Sequence, residues 1–100
     1  MTTHRYHLLG RTGLRVSPIT LGALTFGEGS RHAGEDTARS IFLRYIEAGG
    51  NFVDTAINYA GGRSEEMLGT FMGATGMRDR LVAATKFAVA TRPGDPQFRR

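Results

Sequence analysis

The sequence contains no cysteine. Disulfides, thiolate catalysis and cysteine-ligated metals are thereby excluded, and no other metal-ligand set is read from the residues. No apolar run reaches the ~18 residues a membrane span needs. The opening residues, Met1-Thr2-Thr3-His4-Arg5-Tyr6-His7, lack the apolar stretch of a signal peptide. The expectation is a cytoplasmic protein with no membrane association. Internal repeats and low-complexity stretches are also lacking. So is a dinucleotide fingerprint, because Gly27, Gly29 and Gly34 do not follow its spacing. Lysine is nearly absent: twelve of the thirteen cations are arginine, and the single lysine is Lys86. Only lysine offers a compact ammonium whose pKa shifts readily, which marks Lys86 as a candidate for a specific task.

What is present is ordinary for a small soluble domain. The chain has 100 residues, of which 40% are hydrophobic and 22% charged. The net charge of +4 is scattered, with adjacent cations only at Arg99-Arg100. Scattering of this kind describes a solvated surface rather than a nucleic-acid face.

Along the chain, Tyr6–Leu9 and Leu14–Ser17 read as a hairpin around the turn Gly10-Arg11-Thr12-Gly13. Ile19–Gly22 reads as a first apolar strand, followed by a Gly-rich loop from Ala23 to Gly34. Glu35 and Asp36 suit the positive end of a helix dipole. Ala38, Ile41, Phe42, Tyr45 and Ile46 then follow at offsets 0, 3, 4, 7 and 8, one apolar stripe at helical period. Gly49-Gly50 stops that helix. Asn51–Asp54 reads as a second strand and Thr55–Arg63 as a polar loop. Ser64 is read as the N-cap of a second helix, with Met67, Leu68, Phe71 and Met72 as its apolar face and Gly73 or Gly76 as its end. Leu81–Thr85 reads as a third strand running into Lys86, and Thr91–Pro96 as a loop. Strands alternating with amphipathic helices indicate an α/β fold with a parallel sheet. A sheet of three such strands has two open edges and uncovered apolar faces, so further β/α units or self-association are expected.

In parallel α/β folds, chemistry gathers at the C-terminal ends of strands. Here those ends are Gly22-Ala23, Asp54 and Lys86, with Tyr59 five residues past Asp54. Each has a plain alternative. Asp54 can pin its own loop, Tyr59 can be a packed aromatic, and Lys86 can lie on the surface with its stem covered. One chemistry needs all three. A phenol with a pKa near ~10 is a poor acid at neutral pH. A neighbouring ammonium favours the phenolate, and a carboxylate keeps that ammonium charged and oriented. Such a relay can protonate a carbonyl oxygen.

The stretch Gly49-Gly50-Asn51-Phe52-Val53-Asp54-Thr55-Ala56-Ile57-Asn58-Tyr59, followed by Gly62-Arg63-Ser64-Glu65-Glu66-Met67-Leu68-Gly69, resembles the aldo-keto reductase signature. Leu9–Ser17 is similar to that family's N-terminal hairpin, Leu21–Gly27 to its first barrel strand and loop, and Ala84-Thr85-Lys86 to the end of its third strand. The variant resembles the branch with potassium-channel β subunits and bacterial aldehyde and ketone reductases.

The resemblance implies a (β/α)₈ TIM barrel, of which residues 1–100 are the incomplete N-terminal portion: the hairpin and about the first three strands. It implies NADPH as cofactor and a small-molecule aldehyde or ketone as substrate. It implies Tyr59 as general acid, Lys86 as its ammonium and Asp54 as the partner of Lys86. Ala23, Leu24 and Asp54 are the implied neighbours of the cofactor, with Ala23 standing where many relatives carry threonine. The family's catalytic histidine follows its fourth strand, so none of His4, His7 and His32 fills that role. The main phosphate contacts come from the last quarter of the barrel. The 100 residues alone are therefore expected to be inactive: a truncated fragment or part of a longer protein, or a piece completed by a separate chain or by self-association. Two other readings stand beside this one. One is a non-catalytic NADPH-sensing or interaction subunit of the same fold. The other is a Schiff base at Lys86, which an ammonium paired with Asp54 disfavours.

Overall fold

A computed structural model describes residues 5–88 and Gly94. The expected loop Thr91–Pro96 lies outside the described residues except for Gly94. Strands β1 (His7–Leu8) and β2 (Arg15–Val16) form the antiparallel hairpin, with His7 opposite Val16. Three parallel strands come next, β3 (Leu21–Gly22), β4 (Phe52–Asp54) and β5 (Val82–Ala84), in the order β3-β4-β5. Helix α1 (Glu35–Glu47) links the first two, and helix α2 (Arg63–Thr75) links the second and third. Each strand pairs with the next in chain order, the arrangement of consecutive β/α units in a barrel wall. No helix among the described residues is long and apolar enough to cross a membrane.

The helices cover one face of the sheet. Leu21, Val53 and Ala83 share one register row, and Val53 is fully buried beneath the helices. Ala38 and Phe42 of α1 and Met67, Leu68, Phe71 and Met72 of α2 close over it. Phe71 packs on Phe42 at 5.6 Å and edge-on to Phe26 at 6.3 Å. Burying each such ring contributes roughly 1.5–3 kcal/mol. Phe52, Asp54, Val82 and Ala84 alternate to the opposite face and are only half-buried.

Three sequence expectations change, and a fourth is narrowed to one of its two alternatives. The strands are two or three residues long, shorter than the apolar runs that signalled them. Ile41, placed in the buried stripe of α1, is exposed, because it lies on the flank of the helix facing the open edge of β3. Ser64 is not the N-cap of α2; Gly62 holds that position, and Ser64 lies inside the first turn, fully buried. Gly76, left-handed at φ +67°, ends α2 rather than Gly73. At the end of α1, the Tyr45 ring lies where a side chain on Gly50 would stand, so only glycine fits there. Exposed Leu8, Leu14, Ile19, Leu24, Ile41 and Phe87 leave the apolar surface expected of an open sheet.

Candidate active site

The C-terminal ends of the three parallel strands meet on one rim. The ladder continues past the strands and fixes the segments that leave them. Ala23 donates its N–H to the Asp54 carbonyl at 2.9 Å, Thr55 to Ala84 at 2.8 Å, and Ile57 to Lys86 at 3.2 Å. These bonds bring Asp54, Tyr59 and Lys86 together across 27 to 32 residues of sequence. The Lys86 ammonium donates to Asp54 Oδ1 at 3.1 Å and Oδ2 at 3.0 Å, to the Thr55 carbonyl at 2.8 Å and to Tyr59 Oη at 3.4 Å. It also lies 5.0 Å from the centre of the Tyr59 ring.

Three acceptor groups match the three N–H donors of the ammonium. The Asp54 carboxylate is the largest influence holding the Lys86 pKa above its ordinary value; partial desolvation opposes it and the Tyr59 contact assists. Lys86 therefore stays charged through neutral pH, and a charged amine is a poor Schiff-base nucleophile. The pair is half exposed, with side chains 49% and 37% accessible. Its worth lies in geometry more than in stability.

Tyr59 sits at the start of a tight turn, Tyr59–Gly62. Ala60, Gly61 and Gly62 are all left-handed, at φ +51°, +64° and +99°. For Ala60 that conformation costs on the order of 1–2 kcal/mol, so surrounding contacts must impose it. The turn backs onto Gly27, where an added Cβ would overlap the Ala60 methyl. Immediately after the turn, Arg63 Nε donates to Glu28 at 3.0 Å, and its Nη2 donates to Glu35 at 2.6 Å.

Ser64, next in sequence, donates its hydroxyl to the Ala23 carbonyl at 2.7 Å and lies 2.7 Å from Thr55 Oγ1. Sequence reasoning missed this buried pair and the Arg63 clasp. The segment Gly62-Arg63-Ser64-Glu65 reads locally as a helix start, and nothing in it signals partners 28 to 41 residues away.

The candidate cofactor neighbours separate. Leu24 is exposed at the rim and Asp54 is half-buried there. Ala23 is fully buried, with its N–H on Asp54 and its carbonyl on Ser64. It therefore presents neither surface nor a free polar group to a ligand, and acts here as the joint between the first strand and α2.

Residues 18–99 match the model of the aldo/keto reductase family. Norsolorinic acid reductase of Emericella nidulans is 44% identical over 89 residues, 85% of this chain and 23% of that protein. Aryl-alcohol dehydrogenase [NADP(+)] of Phanerodontia chrysosporium is 39% identical over 87 residues, 82% of this chain and 23% of that protein. Among solved structures, the holo form of an aldo-keto reductase from Bacillus halodurans superposes with a TM-score of 0.76 at 30% identity. That match covers 91% of this chain and 28% of the other. The chain thus spans about a quarter of the length of the curated relatives it matches. Its parallel strands and covering helices are the first units of the relatives' (β/α)₈ barrel. With the match running through Asp54, Tyr59 and Lys86, the chain belongs to the aldo/keto reductase family.

Proposed function

We propose that residues 1–100 form the N-terminal portion of one barrel domain that reduces aldehydes or ketones with NADPH, and that Tyr59 is its general acid. The observation that carries this reading is the single ammonium of Lys86 held between the Asp54 carboxylate and the Tyr59 phenol. Lys86 donates to the phenol oxygen, so the Tyr59 hydroxyl proton is directed away from Lys86, toward whatever enters the rim. A carbonyl oxygen placed there accepts that proton as negative charge develops on it. Asp54 holds Lys86 in place and charged, and the ammonium then stabilises the phenolate left behind.

The residues at the rim fit the reacting end of a nicotinamide dinucleotide. Leu24 offers an exposed apolar wall for a flat ring, and the Asp54 carboxylate offers an acceptor for a ribose hydroxyl. When bound, the cofactor supplies hydride to the carbonyl carbon. NADPH rather than NADH is favoured by the aryl-alcohol dehydrogenase relative, which is named for NADP(+).

The test is turnover of NADPH by the intact protein with a panel of aldehydes and ketones, beside NADPH binding. Tyr59→Phe should abolish turnover while binding stays near wild type, because the phenol serves proton transfer alone. Equal turnover by Tyr59→Phe removes Tyr59 from the reaction. Binding without turnover of any carbonyl by the wild type replaces the enzyme with the cofactor-sensing subunit.

A further inference from the structure

We propose that Arg63 is a positioning residue for Tyr59: it clasps the left-handed turn that carries the phenol and so sets the reach of Tyr59 toward Lys86. The inference rests on the proposed role of Tyr59 as general acid. Locally, the turn is held by backbone bonds alone, with no side-chain cap at either end. Helix α2 begins at Gly62 with no side-chain cap, and the three residues from Ala60 to Gly62 are left-handed. Its local bonds are all from the backbone: the N–H groups of Tyr59 and Gly61 donate to Ala56 and Asn58, both at 3.2 Å, and the Arg63 N–H reaches back to the Tyr59 and Ala60 carbonyls.

The restraint comes from elsewhere in the chain. The planar guanidinium of Arg63 bridges Glu28, in the loop after β3, and Glu35, in the first turn of α1. Glu35 is in turn held by Arg39, at 2.9 Å, which stacks over the buried Phe71 ring at 5.4 Å. One side chain thereby ties the Tyr59 turn to the start of α1 and to the loop that carries Gly27, the residue the turn backs onto. The Lys86–Tyr59 contact is 3.4 Å, the longest of the four ammonium contacts. A small rotation of the turn breaks it. The pattern of Arg63 bonds is a fork that lysine can match only on one side.

The experiment is a double-mutant cycle in the intact protein, with turnover of NADPH and an aldehyde as readout. Arg63→Met should lower kcat by about 10- to 100-fold while the aldehyde KM and NADPH binding stay within about twofold, as misplacement of a reacting group does. Arg63→Lys should recover part of the loss. In the Tyr59→Phe background, Arg63→Met should cost nothing further, since it acts through the missing hydroxyl. With 3-fluorotyrosine labelling and no cofactor, the fluorine resonance of Tyr59 should move in Arg63→Met while that of Tyr45 stays. Where Arg63→Met does not fold, the Glu28→Gln, Glu35→Gln double variant opens the same clasp without removing the arginine. An additive loss in the Tyr59→Phe background, or a Tyr59 resonance that does not move, overturns the inference. If Tyr59→Phe itself turns over normally, the general-acid reading falls instead, and the resonance still reports whether Arg63 holds the turn.

Discussion

Two tyrosines at opposite ends of the sheet show how differently the same side chain is used. Tyr45 ends α1 at the hairpin end. Its hydroxyl lies 2.6 Å from the Ile19 carbonyl, 2.8 Å from Ser17 Oγ and 2.9 Å from the Phe52 carbonyl, and it accepts the Phe52 N–H at 3.1 Å. Asn51 completes this network by accepting from the Ser17 N–H and donating to the Arg15 carbonyl. Tyr59, at the other end, has one polar partner on its hydroxyl among the described residues, and that partner is a cation. A saturated phenol is a structural tie that joins the hairpin, α1 and β4. A phenol with one charged donor and a free proton is prepared for a further acceptor. The C-terminal rim forgoes hydrogen bonds that the hairpin end makes, as the proposed proton-transfer role of Tyr59 requires.

The largest expected effect separates the two tyrosines directly. Tyr59→Phe should reduce carbonyl turnover by ~10²- to 10⁴-fold and leave the urea midpoint within the scatter of a surface change. Tyr45→Phe should do the reverse, losing about 1–3 kcal/mol in urea unfolding with turnover per folded molecule unchanged. Loss of turnover in both, or in neither, erases the distinction.

Between the two ends, the core sets the scale for stability. Phe42→Ala removes a fully buried ring beside Phe71 and should cost roughly 3–5 kcal/mol. Ser64→Ala should cost less, about 1–3 kcal/mol, because it orphans the Thr55 hydroxyl in a dry environment and leaves the Ala23 carbonyl with only the Phe26 N–H. It probes the joint beneath the rim, and a neutral result would show that those groups find other partners.

The smallest effects are read from pH. The Lys86 pKa is raised above 10.5 in the fold. The stability its pairing contributes is therefore complete below about pH 10.5 and is lost as pH rises through the folded value. Thermal melting from pH 9 to 12 should show a slightly steeper decline for wild type than for Lys86→Met. Glu35 runs the other way: Arg63 first, and Arg39 second, hold it below 4.5. Its contribution is present above pH 4.5 and is lost as pH falls through the lower folded value. Glu35→Gln should flatten the acid limb of the melting curve, by a modest amount because the group is only half-buried.

Much of the fold was legible in the sequence. The stripes of α1 and α2 and the acidic first turns depend on neighbours three or four residues apart, which periodicity reads directly. The strand ends were legible too, because apolar runs stop abruptly at Asp54 and just before Lys86. Ile41 misled because a five-residue stripe spans more of the helix circumference than two packed surfaces cover. Ser64 misled because a serine before two glutamates is the common signature of a helix cap, and only the neighbouring strands show that its hydroxyl turns inward.

By itself the sequence determined the element order, the parallel sheet, the family and the candidate trio of Asp54, Tyr59 and Lys86 at and just past the strand ends. All of these come from local periodicity and from a motif written contiguously in the chain. Tertiary structure alone decided the distances at the rim and the partners of Ser64 and Arg63. Lys86 reaches Asp54 across 32 residues, Ser64 reaches Ala23 across 41, and Arg63 reaches Glu28 across 35. Hydrogen bonds act over about 3 Å, so such partnerships exist only once strand register and helix seating have brought distant segments within that range.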